Sequence, residues 1–143
     1  MTQNLTRQIA ASIQSSIVIL CFAWPSLAAA QCADLSGCVL VWSDEFDGTE
    51  IDLSKWTFQL GDGSEVGLPG GWGNNELQYY QAENATVDGG FLTITAREES
   101  VAGLDYTSSR LRSLGKGDWT FGRMEMRAQM PIGQGMWPAF WML

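Results

Sequence analysis

The stretch "FGRMEMRAQM", residues 121–130, decides the fold class. From residue 123 onward, polar and apolar side chains alternate without a break. Arg123, Glu125, Arg127 and Gln129 take one parity, and Met124, Met126, Ala128 and Met130 the other. Successive side chains of a strand point to opposite faces, so the stretch predicts a half-buried β-strand with the methionine parity on the core. Working outward, "FLTITAR" (91–97) repeats the pattern. Leu92, Ile94 and Ala96 face one way, and the Asp88-Gly89-Gly90 turn leads into them. Weaker strands are expected over 40–43, 56–60, 76–81 and 107–114. A last one begins at "MWPAFWML" (136–143), after a turn at Pro131-Ile132-Gly133. No convincing helix follows Ala30. Many short strands divided by Gly, Asp and Asn predict an all-β chain of antiparallel sheets, a sandwich or a barrel. The glycine-rich run "GDGSEVGLPGGWGNN" (61–75) interrupts them, and a loop of this length in a compact domain is usually functional or disordered.

The 143 residues leave room for one domain. Arg7 precedes an apolar run from Ile9 to Ala23, and Ala28-Ala29-Ala30 supplies small residues for cleavage. This predicts a signal peptide over 1–30 and a mature part over 31–143. The uninterrupted apolar part, Ile17 to Trp24, is shorter than the roughly 20 residues that span a bilayer. The expectation is a protein secreted to the extracellular space or periplasm, with no membrane partner once the signal is removed. In that oxidising setting Cys32 and Cys38 form an even pair, and a small disulfide loop is expected. The net charge is −8, from 8 basic and 16 acidic residues. That argues against nucleic acid, against anionic polysaccharide and against anionic membrane, and it suits a neutral polymer. With no histidine in the chain, Ser-His-Asp and Cys-His catalysis and His-ligated zinc are excluded within it, so chemistry has to rest on carboxylates.

Several motifs could serve a site. Trp137, Ala139 and Trp141 share one face of an extended strand, and flat indoles suit the C–H faces of sugars; the alternative is that both are core. Trp72 with Asn74-Asn75 gives a second aromatic–amide cluster. Its amides are suited to sugar hydroxyls, or else to turns of left-handed backbone. Arg110 can bridge hydroxyls or hold a carboxylate, whereas Arg112 reads as a solvated strand face. Asn84-Ala85-Thr86 is a glycosylation sequon with no assigned role. "EIDLSK" (50–55) imitates E-x-D-x-x-E, a carboxylate spacing used by glycosidases, with Lys55 where the last acid would stand.

Taken in order, "LVWSDEFDG", "IDLSKW", "GWGNNELQYY", "DGGFLTI", "YTSSRL" and "FGRMEMRAQMPIGQGMWPAFWML" resemble glycoside hydrolase family sixteen, most closely its laminarinases, the endo-β-1,3-glucanases. The resemblance runs from about Val39 to Leu143. It implies a concanavalin A-like jelly-roll sandwich of two antiparallel sheets with an open cleft, monomeric at full length, of which residues 31–143 are expected to be the N-terminal part. It also implies retaining hydrolysis of a neutral β-glucan, one carboxylate attacking and a second acting as acid/base. The family's E-x-D-x-x-E segment follows the "WPAFWML" strand. The resemblance therefore assigns no catalytic residue to this chain and makes "EIDLSK" the entry to an early strand, with Trp56 packing inward. It assigns the cleft to Asn74 or Asn75, Arg110, Trp137 and Trp141. No cofactor is required; a structural calcium would involve Glu45 and the carbonyl of Gly89. The other reading is a non-catalytic glucan-binding protein on the same fold.

Overall fold

The computed structural model describes residues 9–21 and 37–143. Its elements in chain order are β1 (Ile9–Cys21), β2 (Cys38–Asp44), β3 (Thr57–Phe58), β4 (Gln78–Tyr80), β5 (Ala85–Asp88), β6 (Phe91–Val101), β7 (Leu104–Ser108), β8 (Leu111–Arg112) and β9 (Arg123–Gln129). Helical structure among the described residues is limited to single 3-10 turns at Ser64–Val66, Gly71–Gly73 and Ala82–Asn84. The architecture is all-β, as the alternation predicts.

β1 is the hub of the larger sheet. Its residues 12–19 pair with β9, while 16–21 pair with β2 and 9–13 with β6, all antiparallel. A strand has only two hydrogen-bonding edges, so β9 takes one and β2 and β6 share the other. The run expected to form the apolar part of a signal peptide thus stands as a strand of this sheet. β6 carries β5 through the tight Gly89–Gly90 turn, with Asp88 opposite Phe91. Beyond that pairing, β6 continues alongside β7. β3 and β8 make a separate two-stranded ladder, Thr57 opposite Arg112 and Phe58 opposite Leu111.

The core follows from the same alternation. Phe46, Val87 and Leu92 are buried, and Ile51, Trp56, Ala85, Ile94 and Leu111 pack against them. Leu92 and Ile94 share the parity assigned to the core. An aromatic group lies beside them. Trp56 meets Trp42 edge-on at 5.3 Å and stacks near Phe46 at 6.2 Å, while Trp119 reaches Trp42 at 5.9 Å. Such pairs contribute beyond the area that they bury.

The structure differs from the sequence expectations in four places. β4 runs parallel to β7, where antiparallel pairing is expected throughout. The 107–114 strand is two strands, because the chain turns at Ser109-Arg110 to leave β7 and join β3. Met130 is exposed, since β9 ends one residue earlier. Residues 130–143 form no strand. A strand persists by ladder pairing; no described neighbour pairs with this run, and Pro138 has no N–H to give. Cys38 is disulfide-bonded; its expected partner, Cys32, lies outside the described residues.

Candidate functional site

Arg110 gathers the strongest candidate site. It occupies the break between β7 and β8, and its guanidinium is held from several sides. Arg110 Nε donates to Gln59 Oε1 at 2.9 Å, and Gln59 N donates to the Arg110 carbonyl at 2.9 Å. Its Nη1 lies 3.7 Å from Glu76 Oε1. The guanidinium carbon sits over the rings of Trp72 at 4.4 Å, Trp141 at 5.3 Å and Tyr80 at 5.9 Å. Guanidinium groups stack on aromatic faces and still keep N–H donors at their rim.

The glycine-rich loop supplies the floor. It is ordered by its own backbone. Gly61 and Tyr80 exchange hydrogen bonds at 2.8 and 3.0 Å, Trp72 N donates to Asp62 O at 2.8 Å, and Glu76 N donates to Gly71 O at 3.1 Å. Trp72 is buried, its Nε1 donates to Gly61 O at 3.1 Å, and its backbone is left-handed (φ 53°). A bulky residue in that region is uncommon and marks a conformation imposed by its surroundings. Gly71 shows the imposition: at φ +69°, a Cβ there would come within 2.8 Å of the Glu76 backbone N and O. Asp62 anchors the loop entry. The Ser64 hydroxyl and amide hold its carboxylate below the ordinary range.

β4 contributes the third wall. Glu76, Gln78 and Tyr80 follow at i, i+2 and i+4 and meet on one side. Tyr80 OH donates to Glu76 Oε2 at 2.7 Å, Gln78 Nε2 donates to the same oxygen at 3.1 Å, and Asn74 Nδ2 donates to Glu76 Oε1 at 3.0 Å. Burial, then the Glu76 bond and charge, push the Tyr80 phenol up to about 12.

The predicted site residues therefore divide. Arg110, Asn74 and Trp141 come together. Of the two amides, Asn74 meets the cluster through its bond to Glu76, while Asn75 stands in left-handed backbone (φ 59°). Trp137 is 91% exposed and has no ring contact among the described residues. Arg112 is exposed, as expected. Glu76, Tyr80 and Gln59 were not singled out from sequence; the period-two spacing of "ELQYY" was the readable signal for the first two.

"EIDLSK" is a turn. Lys55 N and Trp56 N both donate to Asp52 O at 2.9 Å, and Lys55 Nζ lies 3.4 Å from Asp44 Oδ1. Trp56 packs inward, and its Nε1 donates to Asp44 Oδ2 at 2.6 Å. Lys116 Nζ pins the turn through the carbonyls of Leu53 and Trp56, at 2.6 and 2.5 Å. Glu50 is exposed and takes no part. As for calcium, Glu45 is exposed and Gly89 lies in the β5–β6 turn, and no group of three or more acidic or thiol side chains converges among the described residues. Two oxygens fall short of the six to eight that calcium takes, so Glu45 and Gly89 do not by themselves make its site.

A family model described as "Beta-glucan synthesis-associated protein SKN1/KRE6/Sbg1" matches residues 13–143. The beta-glucanase of Rhodothermus marinus is 52% identical over 108 residues, covering 73% of this chain and 35% of the relative. The clotting factor G alpha subunit of Tachypleus tridentatus is 48% identical over 103 residues, covering 72% of this chain and 14% of the relative. Among solved structures, the laminarinase catalytic domain of Thermotoga maritima MSB8 superposes with a TM-score of 0.55 at 48% identity, covering 59% of this chain and 35% of that one. The chain thus spans about a third or less of the length of these relatives, and the architecture that it shares with the solved domain is the laminarinase jelly roll.

Proposed function

The chain belongs to the SKN1/KRE6/Sbg1 family of beta-glucan synthesis-associated proteins, and on that premise we propose that it forms the glucan-binding part of a secreted glycoside hydrolase acting on β-1,3-glucan. Arg110 carries the reading. A cation stacked on buried Trp72, with exposed Trp141 beside it and Asn74 and Glu76 at its edge, offers sugars both an apolar ring and hydrogen-bond donors. The beta-glucanase and laminarinase relatives supply the substrate class. Hydrolysis would proceed by retaining double displacement on a carboxylate pair about 5–5.5 Å apart. No described acid is assigned to that pair. Export by a cleaved 1–30 signal, which would take β1 out of the sheet, the Cys32–Cys38 bridge and a monomeric full-length protein belong to the same proposal, as does a structural calcium, if other residues complete the ligands begun by Glu45 and Gly89.

The test is affinity electrophoresis of the 143-residue chain in gels containing laminarin. Retardation is expected, and unchanged mobility overturns the glucan reading. A second reading, a non-catalytic β-glucan-binding protein, is favoured by the synthesis-associated description of the family and by a relative, 51% identical over 37 residues, named a beta-1,3-glucan-binding protein. An E-x-D-x-x-E segment encoded past Leu143, with reducing sugar released from laminarin by the gene product, decides for hydrolysis. Binding without release decides for the second reading.

A further inference from the structure

Resting on the glucan reading, we infer that Glu76 neutralises the Arg110 platform and so selects uncharged glycans over sulfated or carboxylated ones.

Arg110 alone would be an anion trap. A guanidinium has five N–H donors in a planar fork, a geometry that fits carboxylate, sulfate or phosphate in bidentate fashion. Here Gln59 occupies Nε, and Glu76 stands on the Nη1 side. Among the described residues Nη2 has no acceptor, although the side chain is only 18% exposed. One rim of the fork is therefore open to a ligand. Trp72 and Tyr80 contribute ring faces and no charge.

What arrives at that rim meets Glu76 as well. This carboxylate cannot swing aside at little cost. Asn74 holds one oxygen, and Gln78 and Tyr80 hold the other. Among the described residues Glu76 has no cation besides Arg110, so the network fixes a negative charge against this guanidinium. A sugar hydroxyl can accept from Nη2 without opposing that charge. A sulfate or carboxylate placed there would lie beside a pinned carboxylate in a partly desolvated site, where like charges repel far more strongly than in water. Glu76 is thus a selectivity residue acting through Arg110, separate from the overall charge of −8, which repels anions without regard to where they bind.

The experiment measures binding of the 143-residue chain to laminarin and to chemically sulfated laminarin, at about 50 and about 300 mM salt. The wild type is expected to bind laminarin with little salt dependence and sulfated laminarin about tenfold more weakly. Glu76→Gln should raise the sulfated-to-neutral affinity ratio about tenfold at low salt, with the gain shrinking at high salt. Asp47→Asn, the same change of charge in the exposed loop after β2, should leave the ratio where it was. Equal shifts in both variants would make the effect one of net charge and overturn the inference. So would a wild type that already binds the sulfated polymer as well as laminarin, a comparison that needs no variant to fold. A wild type that binds neither polymer fails the glucan reading itself. A wild type that binds laminarin, with a ratio unmoved by Glu76→Gln, fails only the role of Glu76.

Discussion

Two carboxylate–cation pairs sit beside indoles in this protein, and they are built in opposite senses. At Asp44 the acid is the buried member. It accepts from the Trp56 indole, the Phe46 amide and Lys55; the Trp56 and Lys55 contacts tie the β2 end to the turn before β3, and the Phe46 amide closes the bend next to it. At Arg110 the cation is at the centre. Gln59 and Glu76 take part of its fork, and aromatic faces lie under it, but one edge stays unpaired. Enclosing a charge among donors fixes a loop; leaving donors at the rim of a fixed charge prepares a surface for a ligand. Composition does not separate the two, since each has an acid, a base and a tryptophan. The direction of the donors separates them.

The comparison can be broken most forcefully at Asp44. Asp44→Ala leaves a half-buried indole N–H and the Phe46 amide without their acceptor and Lys55 with only Asp52 nearby, and roughly 2–3 kcal/mol of stability should go with it. Urea unfolding followed by tryptophan emission measures this. A loss of a few tenths would mean that the Asp44 cluster is not structural. Gly71→Ala comes next, at about 2 kcal/mol, because a Cβ has no room against Glu76 and the positive φ disfavours it. Unlike Asp44→Ala, it should also weaken laminarin retardation by displacing Trp72. Arg110→Ala should invert the balance, with laminarin affinity falling about tenfold, or about 1.4 kcal/mol, while the urea midpoint moves little. If stability falls instead and binding holds, the two regions are alike. The last effect is confined to alkaline pH. The folded Tyr80 phenol is raised from 10.0 to about 12. An acid whose folded pKa is raised stabilises the fold below its unfolded pKa, and that contribution is lost as pH climbs from about 10 through about 12. Tyr80→Phe should show a shallower loss of stability than wild type across that window, read as melting temperature against pH.

How much of this was legible in the sequence depends on the range of each interaction. The β6 alternation and the Gly89–Gly90 turn are local rules, and the structure obeys them. The β9 alternation gave the strand but overshot at Met130, because the sequence does not say where pairing stops. Residues 136–143 have strand composition yet no strand, for the same reason: a ladder needs a neighbour. Arg110 was visible as a candidate, and Trp141 and the Asn74-Asn75 pair with it. Its partner Gln59 lies 51 residues away, beyond any periodicity. Glu76 and Tyr80 were within reach, since their spacing already put them on one side of a strand. The role of Lys55 was decided by Asp44, eleven positions earlier in the chain, which no motif in "EIDLSK" contains. Parallel pairing of β4 with β7 had no local signature, because hydrophobic alternation is the same for both strand directions.

The sequon at Asn84 carries a consequence for how the protein is made. Its side chain is 1% exposed, and its amide donates to the Thr95 carbonyl at 2.6 Å and the Thr107 hydroxyl at 2.9 Å. An oligosaccharide on that nitrogen and the native packing of β6 and β7 exclude each other. In a glycosylating host the site becomes a clock. Chains that close this corner quickly leave the transferase nothing to modify, and chains that linger are marked and barred from the native state. The fraction of the chain made with sugar at Asn84 would then time the closure of β6 and β7 in such a host.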